Sequence, residues 1–160
     1  MQNKQKGFSL IELLIVVAII LIIASIAIPS LLNAKRSANE ASAVNTIRTI
    51  NSAQISYSSA YPNVGFASTL AVLGGTTSCT PPSSTSACLI DSQVASGTKN
   101  GYSFTLSGLT GSPAATYQIV GSPTVPNQTG VRSFCSYADG VVRVQTSAIA
   151  SCDNTVPPLQ

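Results

Sequence analysis

Apolar and polar positions divide this 160-residue chain into three stretches with different periods. From Leu13 to Ile28 every residue is apolar except Ser25, so no polar face exists. A helix that is apolar all round must be covered on every side, by a core or by a membrane. From Phe8 to Ile28, at a helical rise of about 1.5 Å per residue, the run is roughly 31 Å long, close to the ~30 Å of a bilayer core. Glu12 stands at its start. A carboxylate there costs ~3 kcal/mol on insertion scales, and nothing else in the run offers it a partner. Pro29 follows the run. It either ends the helix at the membrane interface or kinks a helix that continues, at a cost of ~3 kcal/mol.

Beyond Pro29 a helical period emerges. Ala43, Ile47, Ile50, Gln54, Tyr57 and Tyr61 step by three or four and mark one face. That face predicts packing on a sheet, with Asn45, Arg48, Thr49 and Ser52 outward. The helix should end near Ala60, because Tyr61-Pro62-Asn63-Val64-Gly65 is a turn cluster and Tyr61 precedes a proline. Over residues 8–60 it would be about 80 Å long if straight, a length that suits a filament core better than a soluble domain. Residues 62–100 read as a long connection, with a short helical turn at 69–73 and a Ser/Thr/Pro tract from Thr76 to Ala87. The period then becomes two, in Tyr102–Leu106, Tyr117–Ile119 and Val142–Val144, with Phe134–Tyr137 as a further strand. Gly108–Gly111 is the expected turn between the first two strands, and Asp139-Gly140 signals a hairpin. The expectation is an α+β fold: one long helix on four antiparallel strands, 101–107, 115–121, 132–138 and 141–147. The tail after Cys152 reads as loose.

Composition removes most chemistry. The chain has no histidine and no tryptophan, which excludes a Ser/His/Asp or Cys/His constellation. Glu12, Glu40, Asp91, Asp139 and Asp153 are dispersed, and Asp139 reads as a turn residue. No P-loop or dinucleotide fingerprint occurs. No catalysis, cofactor or metal is therefore expected. The net charge of +3 falls to +1 without residues 1–7, which carry Lys4 and Lys6. Beyond the long helix Lys99, Arg132 and Arg143 are the cations of the globular part, too few for a nucleic-acid track. The four cysteines, Cys79, Cys88, Cys135 and Cys152, allow three disulfide pairings. Proximity favours Cys79–Cys88 and Cys135–Cys152. Zinc is the rival reading, weakened because no C-x-x-C pair is present. The Ser/Thr tract reads as a solvated loop or as an O-glycosylated surface patch, and Asn127-Gln128-Thr129 fits a sequon.

Lys6-Gly7-Phe8-Ser9-Leu10-Ile11-Glu12-Leu13-Leu14-Ile15-Val16-Val17 closely resembles the prepilin motif shared by type IV pilins and type II secretion pseudopilins. The strong likeness covers about residues 4–36. Tyr61–Ala67, Asn100–Phe104 and Gly130–Phe134 are similar in phrasing to segments of bacterial major pilins. The resemblance implies a type IV pilin fold, with the helix over about 8–60 kinked near Pro29. It implies a basic leader, 1–7, cut between Gly7 and Phe8 by a prepilin peptidase that also N-methylates Phe8. Residues 8–30 would be the transmembrane and filament-core helix. Residues 31–160 would be the extracytoplasmic domain, made of loop 62–100, sheet 101–147 and tail 148–160. In pilins a C-terminal disulfide encloses a surface loop, and Cys135 and Cys152 match it. Closing a loop of this length is worth roughly 3 kcal/mol in the chain-entropy model.

The function implied is that of a major pilin. It would wait as a single-pass inner-membrane protein and then polymerise with itself into an extracellular filament, aided by inner-membrane assembly machinery. Glu12 of one subunit would meet the Phe8 ammonium of another and set axial register. Filaments of this kind serve adhesion, twitching motility, DNA uptake or electron transfer, and the resemblance does not choose among them. The alternatives are a type II secretion pseudopilin, a DNA-binding minor pilin, and a plain single-pass anchor for a ligand-binding domain. Many major pseudopilins carry an acid-rich C-terminal calcium loop, whereas only Asp139 and Asp153 lie in the last 25 residues here.

Overall fold

The computed structural model describes residues 8–75 and 81–159. It forms two compact units, Met1–Lys35 and Arg36–Gln160. One helix, α1 (Leu10–Ala60), contributes to both, and Pro29 lies inside it. It stops at Ala60, where the turn cluster was expected, and Gly65 returns its N–H to the Tyr61 carbonyl (3.1 Å).

In the second unit the helical face predicted from spacing is the buried one. Ala43, Ile47, Ile50, Gln54 and Tyr57 are buried, while Asn45, Arg48, Thr49 and Ser52 are exposed. They pack on an antiparallel meander in chain order: β1 (Thr98–Lys99), β2 (Tyr102–Thr110), β3 (Thr116–Pro123), β4 (Ser133–Tyr137) and β5 (Arg143–Gln145). Tyr102, Phe104, Ile119 and Phe134 supply the sheet side of the core. Gly121 sits where helix and sheet approach: an added Cβ would lie 3.0 Å from the Phe104 ring and 3.4 Å from Ile47 Cδ1.

The sheet therefore has five strands rather than four. The extra one, β1, comes from the far end of the expected 62–100 connection. Asn100 and Gly101 both take positive φ (48° and 75°), and Lys99 pairs with Tyr102 across them. That is a two-residue hairpin of the kind Asn-Gly favours. The same connection also holds two short helices, α2 (Leu70–Gly74) and α3 (Ser92–Ala95), capped by the Thr69 hydroxyl and the Asp91 carboxylate. The turn expected at Gly108–Gly111 moves to residues 111–115. Strand β2 runs on to Thr110 through an irregularity after Ser107, with Gly108 at φ +68°. The Asp139-Gly140 turn is present, closed from Gly140 N–H to the Tyr137 carbonyl (2.8 Å), with Gly140 alone of the two at positive φ.

The tail corrects the sequence reading most. It is not loose. Val144 N–H bonds the Pro157 carbonyl (3.0 Å) and Leu159 N–H bonds the Val142 carbonyl (2.9 Å), so residues 157–159 lie along the edge of β5. Two prolines in that strap present no N–H outward, which blunts the sheet edge. Residues 146–156 fold back over the other sheet face, where Cys135, Ile149, Cys152 and Val156 form a second small core. That is why Ser133, Phe134, Cys135 and Ser136 are all buried instead of alternating.

Candidate functional site

The amino-terminal half of α1 has no inside. Every large apolar side chain from Leu10 to Ile28 is at least 47% exposed within its unit. The helix is long and apolar enough to cross a membrane by length and composition. Twelve Leu, Ile and Val residues lie between Leu13 and Ile28. At roughly 0.3–0.6 kcal/mol each on an insertion scale, they outweigh the ~3 kcal/mol for one carboxylate at the edge.

Glu12 is not bare. Its Oε2 accepts the Ser9 N–H (2.9 Å), while the Ser9 carbonyl takes the Leu13 N–H (3.3 Å). Ser9-Leu10-Ile11-Glu12 has the spacing of a capping box, in which the acid three residues in satisfies an orphan N–H of the helix start. The helix dipole favours its charge there too. The sequence reading missed this role, although the Ser-x-x-Glu pattern carries it. Oε1 makes no hydrogen bond among the described residues, so one oxygen remains for a second partner.

Pro29 has no N–H to give to the Ser25 carbonyl, and the Ser25 hydroxyl turns back to the Ile22 carbonyl (2.7 Å). Both features loosen the same turn of the helix. Of the other residues expected to function, Phe8 is 83% exposed and Gly7 lies outside the described residues. Cys135 and Cys152 are joined, with Cα atoms 5.8 Å apart. Cys88 is disulfide-bonded, while Cys79 lies outside the described residues. Among the described residues no three His, Cys, Asp or Glu side chains come together to hold a metal.

The second half of α1 carries four buried polar side chains: Thr46 bonds the Ser42 carbonyl within the helix (2.9 Å), while Glu40, Asn51 and Gln54 each fix a different segment of the chain. Glu40 accepts the Val131 N–H (2.9 Å), the Arg132 N–H (3.2 Å) and Arg132 Nε (2.7 Å). Burial pushes its carboxyl up, but the Val131 N–H and the Arg132 side chain and N–H outweigh it and hold it below the usual range. Asn51 donates to Ser136 Oγ (2.9 Å) and accepts from Tyr117 Oη (3.0 Å). Burial, with Asp139 second, raises the Tyr117 phenol to about 12, so it stays a donor. Gln54 bonds both the N–H and the carbonyl of Ala67 (2.8 and 3.1 Å). On the far side of the sheet Arg143 is gripped by both oxygens of Asp139 (2.7 and 3.2 Å) and reaches Tyr137 Oη and Asn154 Oδ1.

These arrangements hold parts in place. The prokaryotic N-terminal methylation motif matches residues 2–28. Over 38 residues the chain is 58% identical to the type IV wide pilus major component PilA4 of Thermus thermophilus. That match takes in 24% of this chain and 29% of the relative's length. No solved structure matches.

Proposed function

We propose that this chain, a type IV pilin by its amino-terminal motif and by its long helix on an antiparallel sheet, is the major structural subunit of a type IV pilus. The carrying observation is the apolar half of α1, exposed on all sides with one acid at its start. Before assembly a membrane covers it. In the filament other copies cover it, and the sheet unit coats the bundle. Cleavage between Gly7 and Phe8, followed by N-methylation, creates an ammonium at Phe8. Glu12 Oε1 of another copy then pairs with that ammonium, while Oε2 keeps the helix cap. In an apolar bundle an unpaired carboxylate is expensive, so the pair admits one axial register and penalises the rest. The loosened turn at Ser25 and Pro29 lets the helix bend as it packs.

Three variants separate charge from capping. Glu12→Ala should insert and be processed, yet yield almost no sheared surface filaments. Glu12→Gln keeps an acceptor for Ser9 and loses the charge; it should fail as well. Glu12→Asp keeps the charge on a shorter arm and should retain part of the yield. Filaments from Glu12→Gln at wild-type amounts would overturn the pairing. Mass spectrometry of the filament subunit should find an N-methylated Phe8 terminus. A processed chain confined to the envelope would favour a pseudopilin instead.

A further inference from the structure

A groove of about 360 Å³ runs beside α1 in the second unit. Its floor is apolar, from Val44, Phe134 and Leu159, and two cations, Arg48 and Arg132, line it with Asn45. Arg132 spends Nε on Glu40 and lies 5.6 Å from the Phe134 ring centroid; its terminal nitrogens have no acceptor among the described residues. Arg48 is exposed, and its guanidinium makes no hydrogen bond or ion pair among the described residues. With one acid against two cations, the groove carries a net positive charge.

The acids of the same unit are unequal. Glu40, Asp91 and Asp139 each hold a cation at 2.7–2.8 Å, from Arg132, Lys99 and Arg143. Asp153 has none within ion-pair distance among the described residues. It is exposed, and Oδ1 is taken by the Thr155 N–H and hydroxyl (2.8 and 2.5 Å). The Val156 N–H and, last in order of strength, the Arg143 charge also favour its carboxylate. The loop is stiff: Cys152 beside it is bonded to Cys135, and Asn154 is held by Tyr137 and Arg143. A pre-ordered anionic projection loses little entropy on docking.

We propose that residues 153–155 of a second copy dock in this groove, with Asp153 facing Arg48 and Arg132. The contact rests on the assembly reading above but uses residues of the second unit alone, and it orients the coat rather than the core. Complementary charge of this kind selects register and rejects wrong neighbours more than it adds affinity.

Charge exchange tests it in cells carrying the full chain. Arg48→Asp and Asp153→Arg should each lower sheared filament yield at least about threefold in low-salt medium, and the double exchange should restore it to within about twofold. Singles that leave yield unchanged, or a double no better than the singles, overturn the proposal. A photocrosslinker at Asn45 gives a second readout, with a dimer joined to residues 153–155 expected. Crosslinks to any other segment or protein overturn it too. Wild-type cells without filaments would instead count against the assembly reading, and the Asn45 crosslink would still decide this one.

Discussion

The two halves of α1 are equally helical and differently patterned. From Leu13 to Ile28 there is no face at all; from Ala43 to Tyr57 there is a sharp one. The second half folds against its own chain, so its sequence must distinguish inside from outside. Its outward hydroxyls are closed on the helix itself: Thr49, Ser52, Ser56 and Ser59 each bond the carbonyl four residues back (2.9–3.1 Å). Within its own unit the first half is exposed on every side and distinguishes nothing. In the proposed assembly its cover comes from membrane or from other copies, from every direction. Absence of periodicity in a strongly apolar helix is thus a statement about where the partner lies.

The largest test of that contrast is a matched pair of truncations. Ile47 is fully buried and Ile20 is 57% exposed. Ile47→Ala should cost about 2–5 kcal/mol of stability in the second unit. Thermal unfolding of the detergent-solubilised full chain, followed by circular dichroism, should shift down clearly. Ile20→Ala should leave the same curve in place. Equal shifts would mean that the apolar half is part of a fold of its own, and the contrast would fail.

Next in size is the Cys135–Cys152 bridge. It closes a loop of sequence separation 17 and fixes the small core of Ile149 and Val156 over the sheet. Cys135→Ser with Cys152→Ser should cost about 3 kcal/mol. The variant should melt lower, and reductant should move the wild type in the same direction. It should still insert in the membrane, because insertion rests on the length and apolar composition of α1. Loss of insertion would show that the two regions are not independent.

What could be read in advance follows from range. Ala43, Ile47, Ile50, Gln54 and Tyr57 announce their face because helical spacing is local. The stop at Ala60 is equally local, set by Tyr61-Pro62. Glu40 and Asn51 give no such sign: their partners lie 66–92 residues away, and the spacing of buried apolar residues passes over them. Strand β1 has two residues, too few for alternation, and Asn100-Gly101 is the local mark of its hairpin. The strap at 157–159 looked loose because Pro157 and Pro158 discourage strands, but an outermost strand needs no outward N–H. At the apolar half, Glu12 and Phe8 came from a motif, whereas the cap from Glu12 to Ser9 needed only the capping-box pattern to be noticed.

The smallest effect concerns acid. Glu40 titrates below its ordinary 4.5 in the folded unit, since the hydrogen bonds from Val131 and Arg132 favour its carboxylate more than burial disfavours it. A group whose folded pKa is depressed stabilises the fold above its unfolded value. That stability is lost as pH falls through the folded one. Melting of the second unit should therefore be flat near neutrality and drop below about pH 4.5. Asp91 adds to the drop, held down first by its Lys99 hydrogen bond, and Asp139 adds where Arg143 outweighs its burial. Glu40→Gln keeps an acceptor for the two N–H groups and loses the charge. It should cost about 1 kcal/mol at pH 7, the usual margin between charged and neutral hydrogen bonds. Its acid limb should be shallower than that of the wild type, because one proton fewer is taken up on unfolding. An unchanged limb would assign the acid sensitivity to Asp91 and Asp139. In the apolar half, Ile20→Ala should leave the whole pH profile untouched.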